Sequence, residues 1–205
     1  MDMAARKIKR DSLLIIFYKN PELGKVKTRL ASSIGEAKAF SIYLLLAEHT
    51  RRITEHLGVY KVVFYSDYID VNDSWANSVY QKRLQLGMDL GERMANAFKF
   101  GFSEGYKSIC IIGTDCFELT GSIVEEAFRK LLTHDVVIGP ANDGGYYLLG
   151  MNYLCNKLFE NKKWSSSSVL ADTLTDTRML GLTSWQLEKL TDVDEEKDLP
   201  QHFIV

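Results

Sequence analysis

The chain is sparing with the residues that usually announce a mechanism. It has three cysteines, Cys110, Cys116 and Cys155, an odd number with no CxxC spacing, which argues against both a disulfide framework and a structural zinc site. A reducing cytoplasm fits that usage best. Its four histidines, His49, His56, His134 and His202, show no ligand spacing beyond a separation of seven on one helix, and none pairs with a nucleophile. No apolar run approaches the roughly 20 residues of a membrane span. The basic start "MDMAARKIKRDSLLIIF" runs into Tyr18-Lys19-Asn20 with no small-residue cleavage site, so it does not read as a secretion signal. Net charge is only −2, which gives no bulk attraction to nucleic acid or anionic lipid. Any phosphate affinity has to be local. Only three prolines, no internal repeat and no Pro/Gly/Ser linker leave nothing to split the chain. With 205 residues it is long enough to bury about 70% of its unfolded surface as one domain. Residues 1–11 read as a basic extension and 12–205 as that domain.

What is present is alternation. "SLLIIF" (12–17), "YKVVFY" (60–65), "SICIIG" (108–113), "DVVIG" (135–139) and "YYLLGM" (146–151) are short and almost continuously apolar, as buried parallel strands are. Helical patterns lie between them. One is expected from about Ile34 to Leu57, with Ser33 and Glu36 spaced as a capping box and Gly58 as its stop. "LGERMANAFKFGF" (90–102) and "SIVEEAFRKLL" (122–132) supply two more, and "SSSS" (165–168) reads as a loop leading into another. Strand and helix in alternation imply an α/β sheet whose ligands gather beyond the carboxyl ends of the strands.

Five stretches fall where such ligands would sit. "KNPELGKVKTRL" (19–30) resembles a P-loop but fails its pattern. With Gly24-Lys25 as the second half, the first glycine falls on Lys19 and the magnesium hydroxyl on Val26; with Lys27-Thr28, Val26 replaces the glycine. What remains is a loop whose Lys25, Lys27 and Arg29 either clamp a polyphosphate or form a solvated basic turn. "IIGTDCFELT" (111–120) places Asp115 just past a strand end, where it suits Mg²⁺ or a turn cap. "GPANDGGYYLLG" (139–150) joins two strands through a turn of Asn142, Asp143, Gly144 and Gly145, whose glycines also permit close approach of a ligand. "LTDVDEEKDL" (190–199) carries Asp192 and Asp194, expected on opposite faces if extended, one of them able to meet Asp115 across the site. "QLGMDLGERM" (85–94) opens a helix whose N-terminus favours anions, without the G-x-G-x-x-G of a dinucleotide site.

In this order and spacing the five stretches resemble the DUF2064 family, a group of proposed glycosyltransferases in the nucleotide-diphospho-sugar transferase (GT-A) superfamily. That superfamily also holds the molybdenum-cofactor and phospholactate guanylyltransferases. The resemblance spans roughly Leu13 to Leu199. It implies a three-layer α/β/α sandwich with a mostly parallel mixed sheet. It also implies Mg²⁺ or Mn²⁺ held by Asp115 and Asp194, and a phosphate-contacting loop at Gly24, Lys25, Lys27 and Arg29. Gln85 and Gly87 then lie where the base is recognised, and Asp143, Gly144 and Gly145 where the transferred or accepting group is held. Phe117 stands where the family commonly has proline, and "DEEKDL" where it has "DTPEDL".

The activity implied is metal-dependent transfer from a nucleotide-activated donor, first of all a nucleoside-diphosphate sugar, to a small-molecule acceptor. Asp115, Lys27 and Asp143 would be the catalytic groups. Nucleotidyl transfer with release of pyrophosphate, and a non-catalytic nucleotide-binding module, are the competing expectations. No motif names the base, the sugar, the acceptor or the oligomeric state.

Overall fold

In the computed structural model, which describes residues 11–200 and 203, the apolar runs form one seven-stranded sheet. Its strands are β1 (Ser12–Tyr18), β2 (Tyr60–Tyr65), β3 (Gln81–Leu84), β4 (Ser108–Ile112), β5 (Val136–Pro140), β6 (Tyr146–Met151) and β7 (Ser184–Gln186). They lie in the order β3-β2-β1-β4-β6-β5-β7. Only β6 runs against its neighbours, pairing antiparallel with β4 and β5, while the other pairs are parallel. The β5–β6 connection is thus the turn that Asn142, Asp143 and the paired glycines suggest.

The helices are α1 (Thr28–Ile34), α2 (Glu36–Glu55), α3 (Leu90–Ser103), α4 (Gly121–Lys130) and α5 (Val169–Met179). Successive strand residues point to opposite faces, so β1 feeds two cores at once. Leu14, Ile16 and Tyr18 pack with Tyr43 and Ala47 of α2 and with Val124 and Phe128 of α4. Leu13 and Ile15 pack with Met94, Ala97 and Phe98 of α3, against which Leu170 and Leu174 of α5 also lie. Two helical layers on one sheet give the expected α/β/α sandwich. Among the described residues no helix is long and apolar enough to cross a membrane. The basic extension lies outside the described residues except for Asp11. That residue is tied to the domain by its carbonyl, which accepts from Lys107 N at 2.7 Å.

Three local expectations need correction. The helix read from about Ile34 to Leu57 forms as α2 but starts two residues later, because Gly35 takes φ 86° and separates it from α1, to which Ile34 belongs. Ser33 consequently sits inside α1 rather than capping, and α2 has Gly35 as its N-cap with no side-chain cap bond. The edge strands β3 ("QKRL") and β7 ("SWQ") have no apolar run, so periodicity does not announce them. The expected anion-favouring start of α3 is occupied by its own acids. Asp89 Oδ1 accepts from Glu92 N at 2.8 Å, and Glu92 Oε2 accepts from Met88 N at 2.9 Å. A helix start whose amides and dipole already face two carboxylates is a poor backbone site for an anion.

Candidate active site

Beyond the carboxyl ends of β1, β2, β3 and β4 lies a cavity of about 600 Å³. Two loops build its near wall. Val26 and Leu30, both buried, anchor the β1–α1 loop and α1 in the core. Asn20, 2% exposed, fastens that loop to the end of β2. Its Nδ2 donates to Tyr68 O at 2.9 Å, its Oδ1 accepts from Asp67 N at 3.0 Å and Tyr68 N at 3.3 Å, and its own N donates to Ser66 Oγ at 3.0 Å. The Tyr43 hydroxyl donates to Lys19 O from the other side.

Held in this way, Lys27 is the N-cap of α1 in a left-handed conformation, φ 49° and ψ 45°. That backbone costs a lysine roughly 1–2 kcal/mol. Its side chain, 5% exposed, reaches two carboxylates, with Nζ 2.5 Å from Asp115 Oδ1 and 3.0 Å from Asp194 Oδ1. Burial is the largest single influence on the ammonium and pulls its pKa down. The charges and hydrogen bonds of Asp115 and Asp194 more than offset this, leaving the pKa above its usual value. Arg29 Nη1 stands 3.9 Å from Asp194 Oδ2 at the exposed edge.

Asp194 meets Asp115, far away along the chain, because residues 192–194 lie alongside the loop after β4. Val193 N donates to Asp115 O at 2.9 Å, Cys116 and Asp192 form an antiparallel bridge, and the Val193 side chain is buried with Leu30 and Leu46. Asp192 and Asp194 therefore line the same cavity instead of facing opposite ways, since residues two apart in an extended segment share a face. Sequence alone leaves the membership of Asp192 in the site open, and D-x-D is the signal for it. Burial, then the charges of Asp115 and Asp143, push its carboxyl up to about 7. Cys116 also lines the cavity, but burial, with the charge of Asp192 adding to it, pushes its thiol up to about 12. It is no nucleophile at neutral pH.

Of the residues singled out from the sequence, Lys27, Arg29, Gln85, Asp115 and Asp194 line this one cavity. Gln85 continues from β3, its N donating to Tyr65 O and its Nε2 to Phe64 O, both at 2.9 Å. The others lie outside the lining. Lys25 is exposed and paired with Glu22 at 2.6 Å, and Gly24 belongs to the same surface turn. Gly87 shapes the loop before α3; its φ is 142°, and a Cβ there would come within 2.7 Å of Arg93 N. Asp143 is exposed and accepts from Gly145 N at 2.9 Å. At Gly144, φ is 90° and a Cβ would lie 2.2 Å from Ser167 O, while its own carbonyl accepts from Leu170 N at 2.9 Å. The paired glycines thereby seat the start of α5 against the turn. Arg93, on the first turn of α3, also lines the cavity. Sequence reasoning misses it, since "LGERM" announces a helix start and nothing more.

No group of three or more His, Cys, Asp or Glu side chains placed to hold a metal occurs among the described residues. Two carboxylates already gathered around a cationic nitrogen do fit an ion that takes one or two protein oxygens and completes its shell with water and phosphate.

The mostly parallel seven-stranded sheet between two helical layers is the nucleotide-diphospho-sugar transferase fold of the structures it resembles. Residues 49–166 match the family described as "Uncharacterized protein conserved in bacteria (DUF2064)". The chain belongs to that family. It resembles a crystal structure from Desulfovibrio desulfuricans G20, provisionally named a nucleotide-diphospho-sugar transferase. Identity is 32% and the TM-score 0.84, over 90% of this chain and 83% of that one. More distant structures share the fold. For 4-diphosphocytidyl-2C-methyl-D-erythritol synthase, identity is 13% and the TM-score 0.59, covering 92% of this chain and 94% of that one. For CMP:2-keto-3-deoxy-manno-octonic acid synthetase, solved with CTP, the values are 10% and 0.52, covering 95% and 97%. Among curated proteins, none matches the sequence.

Proposed function

We propose that the protein is a transferase acting on a nucleotide-activated donor, and specifically a glycosyltransferase using a nucleoside-diphosphate sugar. The observation that carries this reading is the meeting of Lys27, Asp115 and Asp194 at the strand ends. Three groups from distant parts of the chain, an ammonium and two carboxylates, converge in the lining of a cavity of about 600 Å³, a volume in the range of small-molecule sites. Asp115 and Asp194 would hold Mg²⁺ or Mn²⁺, which would supply Lewis-acid charge at the donor's diphosphate. Lys27 and Arg29 provide fixed positive charge for the same phosphates, with Lys27 held in position before the donor arrives. Gln85, anchored by its backbone and side-chain N–H groups on β2, offers a preorganised amide for the base. On the acceptor side stand Asp192 and, beyond the lining, Asp143 with Gly144 and Gly145. Transfer breaks the bond between the sugar's anomeric carbon and the diphosphate and forms one to the acceptor oxygen. The acceptor proton passes to one of these carboxylates, and the nucleoside diphosphate leaves.

The basic loop favours a second reading, in which an acceptor phosphate attacks a nucleoside triphosphate and pyrophosphate departs. Lys27 and Arg29 would hold that leaving group equally well. Product analysis separates the two. Incubation with nucleoside triphosphates and with nucleotide sugars, each with Mn²⁺, should yield nucleoside diphosphate from a sugar nucleotide. Pyrophosphate release from a triphosphate with no sugar nucleotide present would overturn the glycosyl-transfer reading. A protein that binds nucleotide without metal and turns over neither donor would overturn both.

A further inference from the structure

We infer that Arg93 binds an anionic group, a carboxylate or a phosphate, on the second substrate, whose apolar body lies along the α3 side of the cavity. The inference rests on the reading of this cavity as a transferase site and adds the chemical class of acceptor. The cavity does not stop at the strand ends. Phe17, Met94, Ile111, Tyr146 and Leu149 line it and belong to the core cluster on the face of the sheet that α3 covers. This arm is apolar, and Arg93 is the charged residue that α3 contributes to it.

The guanidinium is held but not neutralised. Its Nε donates to Gly87 O at 3.1 Å, and no carboxylate stands within 4 Å of it among the described residues. The cations of the near wall are differently engaged. Lys27 sits between two carboxylates, Arg29 stands beside Asp194, and exposed Lys19 donates to Lys25 O at 2.6 Å. With Nε taken by a carbonyl, the two terminal nitrogens of Arg93 remain as a fork, the arrangement that matches a carboxylate or phosphate. A half-buried charge without a counter-ion is costly, and a ligand anion supplies the missing partner. At the start of α3 the Met88 and Glu92 amides are already taken by the Glu92 and Asp89 carboxylates, whose charges oppose an anion at that helix end. The Gly87 backbone brings its carbonyl under Arg93, so the fork is oriented before any ligand binds.

The test uses the full chain and small probes in calorimetry or ligand-observed NMR: phenyl phosphate, benzoate, and benzyl alcohol as the uncharged control. Phenyl phosphate or benzoate should bind the native protein more tightly than benzyl alcohol, and which of them does so tells phosphate from carboxylate. Arg93→Gln should weaken the anionic probe about tenfold or more, as expected for loss of a charge-assisted fork. Arg93→Lys, which keeps the charge but loses the fork, should weaken it less and gives a second reading if the glutamine variant folds poorly. Guanosine or uridine diphosphate with Mn²⁺ should bind both variants as it binds the native protein. Equal affinity for charged and uncharged probes, or unchanged affinity in both variants, would overturn the inference. A matching loss of nucleoside-diphosphate affinity would overturn it too, by assigning Arg93 to the donor. Native protein that takes up no nucleoside diphosphate with Mn²⁺ would instead sink the transferase reading, while the phenyl phosphate arm still decides the role of Arg93.

Discussion

Lys27 and Asp194 are separated by most of the chain, yet Nζ of one lies 3.0 Å from Oδ1 of the other, and the same nitrogen is 2.5 Å from Asp115. The ammonium thus occupies the point between the two carboxylates where a divalent ion would be drawn. On the proposed reading, a divalent ion and the Lys27 ammonium would compete for this one pair of anions.

Lys27→Met should therefore strengthen Mn²⁺ binding in the absence of nucleotide, by about tenfold if the competition is worth about 1.4 kcal/mol. In the same variant, nucleoside-diphosphate affinity should fall. Calorimetric titration of Mn²⁺ alone, then of nucleotide at fixed Mn²⁺, reads both. Weaker metal binding by the variant would show that Lys27 supports the ion and does not displace it.

Asp115→Asn keeps the shape of the side chain and removes its charge. Nucleotide binding should lose its dependence on Mn²⁺, while the unfolding midpoint moves little because the side chain is half-exposed. Unchanged metal-dependent affinity rejects Asp115 as a ligand of the ion.

Asn20→Ala removes a buried amide that satisfies three groups on the loop after β2. Leaving those backbone groups unpaired should cost about 2–3 kcal/mol, measurable as a lower urea midpoint. Nucleotide affinity should drop as well, since the near wall loses its fastening.

Gly144→Ala should be among the most damaging single-methyl changes in the protein, at about 2–4 kcal/mol. It combines a positive φ with a backbone oxygen 2.2 Å from the new carbon. Denaturant unfolding tests this; a change below about 0.5 kcal/mol would mean that the β5–β6 turn and the start of α5 can move apart freely.

The pH dependence of stability has one clear contributor away from the cavity. Asp135 accepts from Thr183 Oγ1 at 2.6 Å and Thr183 N at 2.8 Å, and these bonds, the side-chain one foremost, hold its carboxyl below the usual range. A depressed carboxyl pKa stabilises the fold above its unfolded value near ~4 and loses that contribution as pH falls through the folded value. Asp135→Asn should cost about 1 kcal/mol at pH 7, with the difference from the native protein shrinking toward pH 3. A difference constant from pH 7 to 3 would exclude the carboxylate as the cause.

Much of the sheet is legible because buried strands such as "SLLIIF" and "SICII" have no polar face to interrupt them, and short unbroken apolar runs of that kind rarely form anything else. Edge strands escape for the converse reason. β3 carries Gln81, Lys82 and Arg83, and its place comes from backbone pairing with β2, which side-chain type does not encode. At the site, charge alone promotes Lys25 as readily as Lys27. What separates them is a left-handed backbone at Lys27 that turns one side chain inward, together with a surface pairing of the other with Glu22. Asp192 and Arg93 belong to the cavity through long-range packing, of the 192–194 segment against the loop after β4 and of α3 against β1. Local sequence says nothing of either contact.

The segment carrying Asp192 and Asp194 follows all seven strands in the chain. Every strand of the sheet, together with Asp115 and Lys27, is thus translated before Asp194, so the contact that joins Lys27 to a second carboxylate is among the last the chain can make when it folds during synthesis.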